Sequence, residues 1–99
     1  MKIIVNHCKI LTFAEMSLLH DETLLRFLRN KVVICQGNDG KYVNYADFEE
    51  RVKNWLHNEI GICCMEYTSG RWYFYFEDVA DRVRFLSWVS DVEFIQNKP

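Results

Sequence analysis

Apolar and polar positions along this chain change period several times, most sharply between residues 70 and 89. In Arg71–Phe76 successive side chains of a strand fall on opposite faces. Trp72, Phe74 and Phe76 go one way, and Arg71, Tyr73 and Tyr75 go the other. Thr68-Ser69-Gly70 is a turn that brings this strand back against Ile62–Tyr67. Asp78 caps a helix whose apolar stripe reads Val79, Val83, Leu86 and Val89, with Phe85 and Trp88 on its flank. Asp91 ends that segment, and Val92–Gln96 reads as a last strand.

Upstream, Lys2–Asn6 reads as a short strand. Thr12-Phe-Ala-Glu15 has the spacing of a capping box and opens a helical region over 13–29. His20–Thr23 divides that region, with Asp21 as a second cap. Val32–Cys35 is a continuous apolar run, as in a strand covered on both faces. Asn38-Asp39-Gly40 is a turn signal, after which Lys41–Asn44 returns as a short hairpin arm. Over 45–60, Tyr45, Phe48, Val52, Trp55, Leu56 and Ile60 form one face of a helix that Gly61 terminates.

From residue 31 the order is strand, helix, strand, strand, helix, strand, the ferredoxin-like split βαβ order. The expected fold is therefore α+β, an antiparallel sheet with helices mainly on one face, within a single domain spanning 1–99. Residues 1–30 are an N-terminal strand and helical extension, and 31–96 are the βαββαβ core. Whether 1–30 lie over the second sheet face decides whether Tyr73 and Tyr75 are surface or core.

Composition narrows the function. Apolar residues make up 49% and aromatics 15% of 99 residues, enough for a filled core without disulfides or metals. The net charge of −2 argues against general polyanion binding, which depends on neutralising phosphates. Residues 1–31 are slightly basic and 58–99 slightly acidic. No apolar run reaches the roughly 18 residues of a membrane span. With no export signal, Cys8, Cys35, Cys63 and Cys64 are expected as reduced thiols of a cytoplasmic protein.

Catalytic and metal chemistry find little support. Cys63 and Cys64 are adjacent on a strand and point apart, and neither Cys-x-x-Cys nor His-x-x-x-His spacing occurs. Cys8 follows His7, but adjacent strand residues diverge. No metal, cofactor or catalytic residue is expected. The candidate binding residues are Arg71, Tyr73 and Tyr75 on one sheet face, followed by Arg84 and Trp88 on the last helix, where an apolar patch rimmed by charge suits a partner protein or a homodimer seam. The competing readings are that the tyrosines pack against Tyr67 or the N-terminal segment, and that Trp88 packs against residues 13–29.

Two resemblances bear on function. Phe76-Glu77-Asp78 resembles the end of the third strand of RNA-recognition motifs. Arg71 and Tyr73 stand where that motif has two stacking aromatics, however, and Val32–Cys35 supplies no aromatic on the first strand. Nucleic acid bound through the tyrosines is thus a secondary reading, and a thiol-dependent enzyme or small-ligand sensor a third. The stretch Arg71–Trp88, an aromatic strand, an acidic cap and a Phe-Leu-x-Trp helix, resembles small accessory proteins of tailed bacteriophages. That resemblance implies a non-catalytic viral protein in the host cytoplasm, an inhibitor or adaptor that binds a host protein.

Overall fold

The computed structural model describes residues 9–35, 42–43, 45–91 and 95–96. Its elements are β1 (Lys9–Leu11), α1 (Phe13–Met16), α2 (Asp21–Arg29), β2 (Lys31–Cys35), β3 (Tyr42–Val43), α3 (Tyr45–Glu59), β4 (Ile62–Thr68), β5 (Arg71–Phe76), α4 (Val79–Asp91) and β6 (Ile95–Gln96). The fold is α+β, with a four-stranded mixed sheet in the order β1-β4-β5-β2. The strand expected over 2–6 and the turn over 38–40 lie outside the described residues.

Strands β2, β5 and β4 have the arrangement expected of a split βαβ unit. β5 lies between the other two and antiparallel to both, so β2 and β4 are parallel to each other with a gap that β5 fills. The fourth strand departs from the expectation. Ile95–Gln96 does not lie beside β2 but pairs antiparallel with Tyr42–Val43 in a separate two-stranded sheet. Tyr42–Val43 therefore forms no hairpin with β2 either.

The helix packing is compatible with this pairing. Trp55 meets Trp88 and Glu59 meets Arg84, so residue numbers rise along α3 as they fall along α4. The two helices are antiparallel, and the segment entering α3 emerges beside the segment leaving α4. One further strand, β1, was not evident from the sequence. It adds to the far edge of the sheet parallel to β4, with Lys9 opposite Ile62 and Leu11 opposite Cys64.

The β4–β5 turn has two central residues, Ser69 at φ 54° and Gly70 at φ 79°. Two consecutive positive φ values define a type I′ turn, whose twist matches that of the flanking strands. It fixes the register that sets Met65 opposite Phe74 and Cys64 opposite Tyr75. Gly70 accepts this conformation without a Cβ penalty; Ser69 does not.

Alternation along β4 and β5 then feeds two cores. On one face Cys63, Met65, Trp72, Phe74 and Phe76 meet Phe48, Val52, Leu56 and Ile60 of α3 and Phe85 of α4. On the other, Leu11, Cys64 and Tyr75 meet Met16 and Phe27, with Phe13, Leu19, Leu24 and Tyr73 packed around them. The longer helices share the first face as expected, and α1 and α2 cover the second. The Thr12–Glu15 capping box forms in both directions at 2.9 and 3.1 Å. The second cap is His20 rather than Asp21, which enters the first turn of α2.

The buried stripe of α4 also differs from the expected one. Phe85 is fully buried, 4.6 Å from Phe74 and 5.2 Å from Phe76 between ring centroids, whereas Val79 and Val83 are 60% and 52% exposed. Leu86 and Val89 of the expected stripe do pack against the core, but its first half turns outward, and the sheet takes the opposite side of the helix, which carries the larger ring.

Two stability outcomes follow. Phe85→Ala should cost about 3–5 kcal/mol, while Val83→Ala stays within about 0.5 kcal/mol, read by urea unfolding of each variant. If Val83 carried the packing, those two costs would exchange. Ser69→Asn, which places a residue tolerant of positive φ in the I′ turn, should stabilise by up to about 1 kcal/mol and raise Tm by several degrees. A lowered Tm would mean that the serine side chain makes a contribution larger than the strain it imposes.

Candidate functional site

The five residues singled out from the sequence fall into two places. Arg71, Tyr73 and Tyr75 project to the sheet face that α1 and α2 occupy, so the expected open face is covered. The Phe13 ring stands edge-on to Tyr73 at 5.7 Å and to Tyr75 at 6.1 Å. Tyr75 is 8% exposed, Tyr73 is half-buried, and Arg71 is exposed at the mouth of the hairpin. The Lys31 ammonium lies 5.9 Å from the centre of the Tyr73 ring.

What holds α1 over this face is a carboxylate. Glu66 Oε1 accepts the Phe13 backbone N–H at 2.8 Å, joining the first turn of α1 to the middle of β4. Alternation along β4 puts Glu66 on the same face as Cys64, and the register sets it opposite Tyr73. Cys64 is consequently a poor nucleophile. Burial first, then the neighbouring Glu66 and Glu15 charges, push its thiol up to about 12. Burial, then Cys64 and Tyr73, also raise the Tyr75 phenol above its ordinary value.

Arg84 and Trp88 lie on the opposite side of the molecule and form one cluster. The Arg84 guanidinium donates to the Glu59 carbonyl at 3.0 Å and to Glu59 Oε1 at 2.6 Å, bridging α4 to the C-terminal end of α3. A cation at that end is favoured by the helix dipole. Asp81 Oδ1 is 3.7 Å away on the same side. Burial, then Asp78, raise the Asp81 carboxyl, and Arg84 opposes that rise.

The guanidinium carbon also sits 5.8 Å from the centre of the Trp55 ring. Trp55 in turn stacks on Trp88, with centroids 5.0 Å apart and planes inclined by 13°. Both indoles are half-buried. Trp88 thus packs on α3, and the expectation that residues 13–29 cover it gives way to this geometry. Trp55 was read from the sequence only as one position of an apolar helix face. The signal for its role was that a tryptophan occurs on each of two helices that a split βαβ order sets side by side.

A cleft of about 250 Å³ opens where β1 ends, lined by Thr12, Glu49, Lys53, Met65, Glu66, Tyr67 and Trp72. It falls below the usual ligand-pocket range of about 300–1,000 Å³. Its carboxylates are engaged, Glu49 by Lys53 at 3.0 Å and Glu66 by Phe13. Among the described residues no three His, Cys, Asp or Glu side chains assemble as a ligand set, and no helix is long and apolar enough to cross a membrane. His7 and Cys8 lie outside the described residues.

Compared with known proteins, the chain matches no family model, no curated protein and no solved structure.

The displaced Cys64 equilibrium has a stability consequence. The folded thiol holds its proton up to about pH 12, whereas an unfolded one loses it near 9. The unfolded state therefore binds fewer protons between those values, and folding stability falls as pH rises from 9 toward 12. Tyr75 adds to the fall with the same sign. Urea midpoints measured from pH 8 to 11 should decline, less steeply in Cys64→Ala, and Cys64 should resist iodoacetamide until the protein unfolds. Rapid alkylation of native Cys64 at pH 7.5 would contradict this environment.

Proposed function

We propose that this protein is a small non-catalytic binding module that engages another protein through the Arg84–Trp55–Trp88 cluster on the outside of α3 and α4. The observation that carries this reading is the preorganisation of the cluster. Two indoles lie nearly parallel, and a guanidinium held by two hydrogen bonds to Glu59 borders them. Tryptophan and arginine are the residue types most enriched among energetic hot spots, and side chains already fixed lose little entropy on binding.

Two observations favour this reading over its alternatives. A base-stacking platform needs exposed ring faces, and Tyr73 and Tyr75 sit under Phe13. A thiol enzyme needs a thiolate, and at Cys64 burial and neighbouring carboxylates oppose one, while Cys8 and the Cys35 side chain lie outside the described residues. An inhibitor or adaptor directed at a host protein is the form that the resemblance of residues 71–88 implies, and Arg84 and Trp88 belong to that stretch.

The test is affinity capture from a bacterial lysate with the wild type, Arg84→Ala and Trp88→Ala, each shown to be folded by circular dichroism. A protein band that resists nuclease should be retained by the wild type and weakened about tenfold or more by either substitution. Retention that ignores both substitutions, or that disappears with nuclease, would overturn the reading.

A further inference from the structure

Helix α2 carries more apolar surface than the fold encloses. Phe27 is fully buried and Leu24 packs in the same core, but Leu25 and Leu28 are 51% and 45% exposed. At about 100° per residue, Leu28 stands about 40° past Leu24 and Leu25 about 60° further on, so the apolar arc runs from the core onto the outer surface. Leu18, in the turn that leads into the helix, is 84% exposed.

Charge is arranged around Leu25 in a pattern that complements itself. Glu22 stands one helical turn before it and Arg29 one turn after, and both are exposed. Together with Arg26 these three line a groove along the outside of the helix. Arg26 turns aside to Glu77 at 3.6 Å, which leaves Glu22 and Arg29 as the charged ends of the stripe. Two turns, about 10 Å along the axis, separate them on their own helix. Acids in the first turn and bases in the last suit the helix dipole. Turned end for end over a second copy, the same stripe sets each acid opposite a base.

We infer that the outer face of α2 is the seam of a two-fold homodimer, in which the helices pack antiparallel about Leu25. The two Leu25 side chains meet at the axis, and Glu22 of each copy faces Arg29 of the other, as an isologous interface requires. A net charge of −2 leaves little general repulsion between copies. An anionic membrane fits this face less well, because Asp21 and Glu22 share it with Arg29. Helix α2 covers the sheet face opposite α3 and α4, so the Arg84–Trp55–Trp88 cluster points outward on both copies. A dimer built this way is bivalent.

The test is sedimentation equilibrium on the full-length chain over a range of concentrations. A monomer–dimer equilibrium is expected, with a Kd in the micromolar range or weaker, as suits an interface this small. Leu25→Glu sets two carboxylates against each other and should weaken the dimer at least about tenfold, with the fold checked by circular dichroism. Glu22→Arg and Arg29→Glu should each weaken it too, whereas an equimolar mixture of those two variants should form a heterodimer tighter than either alone, loosened by salt. Both changes are at exposed positions, so the mixture remains decisive should Leu25→Glu not fold. A chain monomeric up to about 1 mM, whether or not anionic vesicles or another protein retain it through Leu25, would overturn the inference. So would a dimer as tight with folded Leu25→Glu, a mixture no tighter than its components, or a dimer that Trp88→Ala dissolves and Leu25→Glu spares. Leu25→Glu leaves the tryptophan cluster untouched, so this inference and the proposed function fail independently.

Discussion

Phe74 and Phe76 on one face of β5, and Tyr75 on the other, leave water only if the sheet is covered twice. Each such ring contributes roughly 2–3 kcal/mol when fully buried, a large share of the marginal stability of a domain this size. Helices α3 and α4 answer the first demand, with Phe85 set among Phe74, Phe76, Trp55 and Trp88. The N-terminal segment answers the second, with Phe13, Met16 and Phe27 closing over Tyr73 and Tyr75. The molecule is therefore three layers deep, and its N-terminal helices are part of the fold rather than an appendage to it.

The layers are joined by polar contacts that the apolar pattern does not reveal. Glu66 is the only carboxylate on the tyrosine-bearing face of β4, and it receives the first amide of α1. Without that acceptor the short α1 would have to dock by Phe13 and Met16 alone. Arg84 does the corresponding work between α3 and α4, joining two helix ends through Glu59. The group proposed here as part of a contact surface is thus also a structural tie, which keeps its geometry the same before and after a partner arrives.

How much of this could be read from the sequence follows from the range of each interaction. The period-2 alternation of 71–77, the capping box at Thr12–Glu15, the Asp78 cap and the Ser69-Gly70 turn are local, and the structure agrees with them. The position of 95–96 is not local, since its pairing partner, 42–43, is about fifty residues away in the chain. The choice between the Val79/Val83 and Phe85/Trp88 stripes is not local either. Both stripes are apolar, and only the sheet rings decide which turns inward. For the site, Arg84 and Trp88 were legible as residue types, but Trp55, which makes them a cluster, belongs to another helix. The tyrosines looked available because nothing in residues 13–29 says which surface their apolar face will meet.

A sheet filled on both faces has consequences for how such a small protein can bind anything. Among the described residues the four-stranded sheet has no bare face, so the surfaces it leaves to a partner are the places where covering is incomplete. These are the seam between α3 and α4, where two indoles are too large to be wholly enclosed, and the rim of the sheet at β2. An uncovered strand edge is ordinarily an aggregation hazard, which charged side chains at the edge moderate. Lys31 on β2 and Arg82, which reaches the Lys31 carbonyl, supply that protection against a second copy, since edge-to-edge self-pairing would bring like charges together.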